Sequence, residues 1–261
     1  MPSFDRAAEI YDQTRGLPPG VGDRAAAALI EFAGLAPADP VLEVGVGTGR
    51  VALPLARALG SNHRLTGVDL SRKMMARLAE KLDSEIRPPT LAEADALHLP
   101  FPTGLFRAIL TIHVWHLLRE WQAVLAEIVR VRAPNGLLVV GWNDHLPESS
   151  GERINHKFRE IALAHGISVE RQGLVDFSDL LVHLPGARST EIVAAEWAIE
   201  RAPRLALQSL AERHFSSSWL IPDDLFPALL ADLDTWANKE WPDLDRAIPE
   251  HRRFKWMKIE L

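Results

Sequence analysis

Residues 41–50 read VLEVGVGTGR, an apolar run broken by one acid and then by glycines at 45, 47 and 49. Glycines at alternate positions after a strand let the backbone enter conformations closed to other residues and approach a ligand closely. The next helix then directs its unpaired N–H groups at that ligand. Such a turn needs a sheet around it, and from residue 41 onward strand-like and helix-like segments alternate. That is the pattern of parallel strands covered by helices. Strands are predicted over 41–44, 65–69, 90–94, 105–112 and 137–142. The run 105–112 is almost uniformly apolar, as expected of a central strand buried on both faces. Between strands, Val51, Leu55 and Leu59 form a helical stripe that Gly60 ends, and Ser71 can cap a helix whose face is Met74, Leu78 and Leu82. A helix carrying Trp121, Leu125, Ile128 and Arg132 should end at the turn Ala133-Pro134-Asn135-Gly136.

After residue 142 the rhythm changes. Residues 145–185 read as helical and irregular, 190–197 as a strand, and 204–240 as helices with Leu225, Leu229, Leu233 and Trp236 in one stripe. A last strand is expected over 254–261. Five of the eight tryptophans lie in this half, which fits either core packing or an apolar lid over a ligand.

The glycine spacing discriminates between ligands. A dinucleotide fold expects G-x-G-x-x-G/A, which from Gly45 and Gly47 would put the third small residue at position 50. Arg50 stands there, and the third glycine is Gly49. The motif Glu43-Val44-Gly45-Val46-Gly47-Thr48-Gly49 instead resembles the first motif of class I S-adenosylmethionine-dependent methyltransferases. Leu65-Thr66-Gly67-Val68-Asp69-Leu70-Ser71, with Met74 after it, is similar to that family's second motif. Glu93-Ala94-Asp95-Ala96-Leu97-His98-Leu99-Pro100-Phe101 resembles its adenine-flanking segment. The stretch 105–118 resembles the fourth-strand region, and Arg132–Gly136 the following turn, with Asn135 in place of a glycine. The resemblance covers about residues 5–142 and is nearest to the ubiquinone/menaquinone-biosynthesis-like small-molecule methyltransferases.

The resemblance implies an α/β, Rossmann-like fold: a largely parallel seven-stranded sheet with helices on both faces and helical substrate-lid insertions. Residues 1–144 are then an N-terminal helical segment and the S-adenosylmethionine-binding core, and 145–261 hold the lid insertions with the last two strands of the same sheet. It implies S-adenosyl-L-methionine as cofactor, held by Gly45, Gly47 and Gly49, by Asp69 at the ribose hydroxyls, and by Leu70, Met74, Asp95 and Ala96 around the adenine side. Glu43 would steady the turn or meet the methionine ammonium, and Tyr11 and Arg15 its carboxylate. His113 would shape the cofactor pocket. His116, at the same sheet edge, is the candidate catalytic residue, either as a base or as a structural hydrogen-bonding group. No metal site is expected.

The acceptor is expected to be a small organic molecule. The formal charge of −6 argues against a nucleic-acid partner, and the absence of cysteine removes the nucleophile used for pyrimidine C5 methylation. It also fits a reducing cytoplasm. No apolar stretch of signal-peptide or membrane-spanning length is seen. A homo-oligomer remains open. So do a non-catalytic binder of the cofactor or its product and, less well supported, an NAD-dependent oxidoreductase.

Overall fold

The structure is a computed structural model that describes residues 4–6, 8–82, 84, 87–145, 148–169, 173–214, 218–219 and 221–261. It divides into two compact units. The first comprises Met1–Asn143, Gln172–Ala195 and Phe254–Leu261, and the second Asp144–Arg171 and Glu196–Arg253.

Unit 1 opens with a 3-10 turn, Phe4–Arg6, and helices α1 (Tyr11–Arg15) and α2 (Val21–Ala33). Strands and helices then alternate: β1 (Pro40–Val44), α3 (Ala52–Leu59), β2 (Arg64–Asp69), α4 (Arg72–Glu80), β3 (Thr90–Glu93), β4 (Phe106–Ile112), α5 (Trp121–Val131) and β5 (Arg132–His145). Ser71 caps α4 by accepting the Met74 amide at 3.2 Å, which satisfies one of the donors every helix start leaves over. Gly60, at φ 76°, ends α3. The expected turn at 133–136 is absorbed into β5 as an irregularity. Pairing with β4 jumps from Phe106↔Arg132 to Ala108↔Leu137, and Asn135 takes the left-handed conformation at φ 59°.

After β5 come α6 (Ser150–Ala164), α7 (Ser178–Val182), β6 (Arg188–Arg201), α8 (Pro203–Ala211), α9 (Phe226–Glu240) and β7 (Ile248–Glu260). The seven strands form one sheet in the order β3-β2-β1-β4-β5-β7-β6. β1 pairs in parallel with β2 on one side and β4 on the other, so successive crossovers diverge between β1 and β4. That reversal is where open α/β sheets leave a crevice.

The sheet is mixed, which corrects the expectation of a largely parallel one. The pairs among β1 to β5 are parallel, and antiparallel pairing enters at the β7–β6 end. The physical reason lies in the pattern of burial. β4 is buried at nearly every position, whereas β6 starts with four exposed residues and then alternates, with Ala195 its one buried position. Antiparallel strands tolerate one wetted face, and parallel strands rarely do.

Ala108, Ile109 and Leu110 of β4 are all fully buried, Ile109 in one core with Leu42, Leu138 and Val140. Burying a Leu or Ile side chain in this way contributes roughly 1.5–3 kcal/mol. Residues 174–187, read from sequence as part of the insertions, pack Leu174, Leu180 and Leu184 into this same core. Trp256 is also buried in unit 1 and donates its indole N–H to the Ala25 carbonyl at 2.9 Å. Unit 2 has its own core, in which α6 (Ile154, Phe158), α8 (Leu210) and α9 (Phe226, Leu229, Leu233) meet. No helix among the described residues is long and apolar enough to cross a membrane.

Candidate functional site

The carboxyl ends of β3, β2, β1 and β4 stand side by side, and the loops after them gather most of the residues singled out in the sequence. The turn after β1 needs its glycines. Gly45, Gly47 and Gly49 have φ of 77°, 53° and 76°. A Cβ on Gly45 would lie 3.1 Å from Val114 Cγ2, and one on Gly49 only 2.6 Å from Leu78 Cγ. Gly67 in β2 is as constrained, since its Cβ would meet Val46 at 2.7 Å. The turn therefore nests against β2 and α4, with the buried Met74 beneath it.

Asp69 ties the loops together. Its Oδ2 accepts the Gly47 amide and its Oδ1 the Ser71 amide, both at 2.8 Å. Burial pushes the carboxyl up, while the Ser71, Gly47 and Leu70 amides pull it down and the Asp5 charge pushes it up again. A carboxylate has about four lone-pair sites, so these amides leave room for a further donor. The Asp69 carbonyl accepts the Ala94 amide at 3.1 Å, which joins the end of β3 to the end of β2. Just beyond, Asp95 Oδ1 accepts the Leu97 amide at 3.0 Å and sets the turn that carries the buried Ala96. Leu70 is 48% exposed, so an apolar side chain stands in water beside this turn.

Glu43 is 2% exposed, and its Oε2 has no hydrogen-bond partner among the described residues. Burial pushes its carboxyl up to about 8, against the lowering effect of Arg50 and with help from Asp69. A buried acid with an orphaned oxygen calls for a donor or a cation.

The N-terminal segment reaches the turn by residues that sequence reasoning missed. Asp12 accepts the Thr48 hydroxyl at 2.6 Å and the Lys81 ammonium at 2.7 Å, and Asp5 accepts the Ser71 hydroxyl at 2.5 Å. Arg50 Nη1 donates to the Arg15 carbonyl at 2.6 Å, so that guanidinium serves α1. Tyr11 packs edge-on to Phe4, with ring centroids 6.3 Å apart. Glu127 and Arg130 were also missed: the first accepts the Leu99 amide and the second donates to the Leu99 and Phe101 carbonyls, which fixes the loop after β3. No local pattern betrays these pairs, because their partners lie tens of residues away.

His113 takes φ 53°, an uncommon choice for a residue with a side chain and one that marks functional turns. Its Nε2 lies 3.2 Å from the Asn143 amide, which can only donate, so Nε2 accepts and the proton sits on Nδ1. His116 lies one turn further on, in the 3-10 segment Trp115–Leu117, where its carbonyl accepts the Gly173 amide at 3.3 Å. No group of three or more metal-binding side chains occurs among the described residues.

Asp69, already holding the Gly47 amide, and the buried acid Glu43 behind the turn offer acceptors and no cation, which suits a ligand that is cationic or neutral there rather than a pyrophosphate. Residues 41–136 match the family model described as a methyltransferase domain. The 2-phytyl-1,4-naphtoquinone methyltransferase of Nostoc sp. is 32% identical over 135 residues, covering 51% of this chain and 59% of the relative. The demethylmenaquinone methyltransferase of Thermus thermophilus is 37% identical over 101 residues, covering 38% of this chain and 45% of the relative. The chain thus spans about half the length of these curated relatives. Among solved structures, the YcgJ protein of Bacillus subtilis aligns with a TM-score of 0.58 over 90% of this chain and 97% of that one. Its identity is 16%, so the likeness is one of fold.

Proposed function

Because residues 41–136 form a class I S-adenosylmethionine-dependent methyltransferase domain, we propose that the protein transfers a methyl group from that cofactor to a small organic acceptor. One observation carries the reading. The left-handed turn of Gly45, Gly47 and Gly49 lies between Asp69, which binds it, and Glu43, whose buried oxygen lacks a partner among the described residues.

These residues fit the group. Gly45 and Gly47 let a ligand approach the backbone. Asp69 would take the ribose hydroxyls on its remaining lone pairs, and Leu70, Asp95 and Ala96 would flank and hold the adenine. Glu43 would face the ammonium of the methionine moiety, and Tyr11 and Arg15 would meet its carboxylate. When bound, the cofactor supplies an electrophilic methyl on a sulfonium.

The protein's contribution is alignment and exclusion of water, which can supply several kcal/mol for a good nucleophile. His113 cannot take a proton at Nε2 without breaking its bond to Asn143. It acts as a fixed element of the pocket, and His116 is the histidine that would receive an acceptor proton. The helices within 145–185 and 204–240 are the acceptor-selecting insertions of this reading, and a cytoplasmic location goes with it. Quinone-type acceptors are the first class to test, given the names of the relatives.

The experiment is incubation with methyl-labelled S-adenosylmethionine and cell extract, followed by mass spectrometry of the small-molecule fraction. A labelled metabolite is the expected result. Cofactor binding with no labelled product in any fraction would instead make the protein a binder without turnover.

A further inference from the structure

The connection from β3 to β4, residues 94–105, contains no helix or strand, yet it carries Asp95 and Ala96. A segment without a ladder of its own opens easily, and a ligand group it holds is only as well placed as the segment itself. At its start the Ala94 amide is tied to the Asp69 carbonyl. Asp95 then closes a tight turn, its Oδ1 accepting the Leu97 amide at 3.0 Å and its carbonyl the His98 amide at 2.9 Å.

The far end of that turn is held by two side chains of α5. Leu99, whose own side chain is buried in the core of unit 1, is bonded at both its N–H and its carbonyl. The N–H donates to Glu127 Oε2 at 2.9 Å, and the carbonyl accepts Arg130 Nη2 at 2.9 Å. Arg130 Nη1 reaches on to the Phe101 carbonyl at 2.7 Å. The two side chains also pair with each other, Arg130 Nε with Glu127 Oε1 at 2.7 Å and Nη2 with Oε2 at 2.8 Å. They stand three residues apart, so one face of α5 presents both. The Arg130 bonds hold the Glu127 carboxyl below the usual carboxylate range. A planar guanidinium can spread four bonds over a carboxylate and two carbonyls, and a lysine ammonium cannot.

We propose that Glu127 and Arg130 are positioning residues for recognition of the base: by clamping Leu99 they fix the 95–98 turn so that it accepts a purine with an exocyclic amine and rejects one with an oxygen there. The proposal rests on the reading in which Asp95 and Ala96 hold the adenine. The pair acts through the Asp95 carboxylate, which when ionised only accepts hydrogen bonds, so it matches an amine and repels a carbonyl oxygen. Both effects depend on where that carboxylate stands. A slack turn lets it swing away, which costs the amine its acceptor and relieves the oxygen of its repulsion.

The test is calorimetry on the full chain with S-adenosylhomocysteine and with S-inosylhomocysteine, in which an oxygen replaces the adenine amine. Wild type should prefer the adenosyl ligand by about tenfold or more, the worth of one charge-assisted bond. Arg130→Lys should bring the two affinities to within about threefold, chiefly by weakening the adenosyl ligand. Glu127→Gln keeps an acceptor for the Leu99 amide but loses the charge that holds Arg130, so its preference should fall between. If Arg130→Lys does not fold, Glu127→Gln decides by the same ratio. Equal weakening of both ligands, or of neither, means the pair only ties α5 to the loop, and overturns the proposal. A wild type that binds both ligands alike overturns it too, because the turn then does not read the base. A wild type that binds neither overturns the cofactor reading and the clamp together, an outcome distinct from any change of ratio in the variants.

Discussion

The carboxylate of Asp69 holds the Gly47 amide at 2.8 Å, so the residue that ends β2 also fixes the apex of the turn after β1. Ligand contact and loop geometry therefore share one side chain. Asp69→Ala removes the proposed ribose acceptor and releases the turn together. Charge-assisted hydrogen bonds are worth about 1.5–3 kcal/mol each, so affinity for S-adenosylhomocysteine should fall by roughly tens to thousands of fold. Asp69→Asn keeps an acceptor oxygen and should lie between. Calorimetry on folded variants checks this, and wild-type affinity in Asp69→Ala would place the ribose elsewhere.

Gly49 and Gly34 separate backbone strain from crowding. Both have positive φ, 76° and 59°, but a Cβ at Gly34 meets nothing within 4 Å. Gly34→Ala should cost only the left-handed penalty, about 1–2 kcal/mol. Gly49→Ala adds contact with Leu78 at 2.6 Å and Leu53 at 3.0 Å, an overpacking cost of about 1–3 kcal/mol more. Urea unfolding should rank the two in that order. Equal losses would mean that Leu78 rotates away without cost.

His113 distinguishes positioning from proton transfer. With Nε2 accepting the Asn143 amide, 15N NMR at neutral pH should show the proton on Nδ1. His113→Asn tolerates positive φ and cannot act as a base. Methyl transfer in that variant should stay within about tenfold of wild type, whereas loss of a general base costs about 10²–10⁴-fold.

Much of unit 1 was legible because its signals are local. The apolar run at β4, the Ser71 cap and the glycine turn each declare themselves within a few residues. The mixed sheet was not, because strand direction depends on how distant segments return to the sheet. The contacts of Asp12 with Thr48 and of Asn143 with His113 span 36 and 30 residues, beyond any periodicity. Residues 145–185 read as helical and irregular, with nothing local to say what they cover, yet Leu174, Leu180 and Leu184 from that stretch are buried in the core of unit 1.

The proposed role of unit 2 in acceptor selection has a direct readout. Leu210 of α8 and Leu229 and Leu233 of α9 are buried in one core, so amides of both helices report on the same packing. Amide exchange in α8 and α9 should slow when S-adenosylhomocysteine and an acceptor analogue bind together. Protection that instead follows protein concentration, with or without ligand, would assign these helices to a subunit interface.

Glu43 gives the protein a pH dependence whose sign follows from burial. Its carboxyl has an ordinary value of 4.5 and is pushed up to about 8 in the folded chain. The folded state thus keeps a proton that the unfolded chain releases. The resulting stabilisation is complete below about pH 4.5 and is lost as pH rises through about 8. At about 1.4 kcal/mol per pKa unit, the loss across that window is on the order of a few kcal/mol. Glu43→Gln carries no titrating proton there, so its unfolding free energy should be nearly flat while wild type declines. An ammonium beside Glu43 favours the ionised form, so cofactor binding should release a proton below pH 8 and tighten as pH rises toward it. Calorimetry in two buffers of different ionisation enthalpy measures that proton directly. Parallel stability curves for Glu43→Gln and wild type, with no proton released on binding, would show that this acid is already ionised when buried.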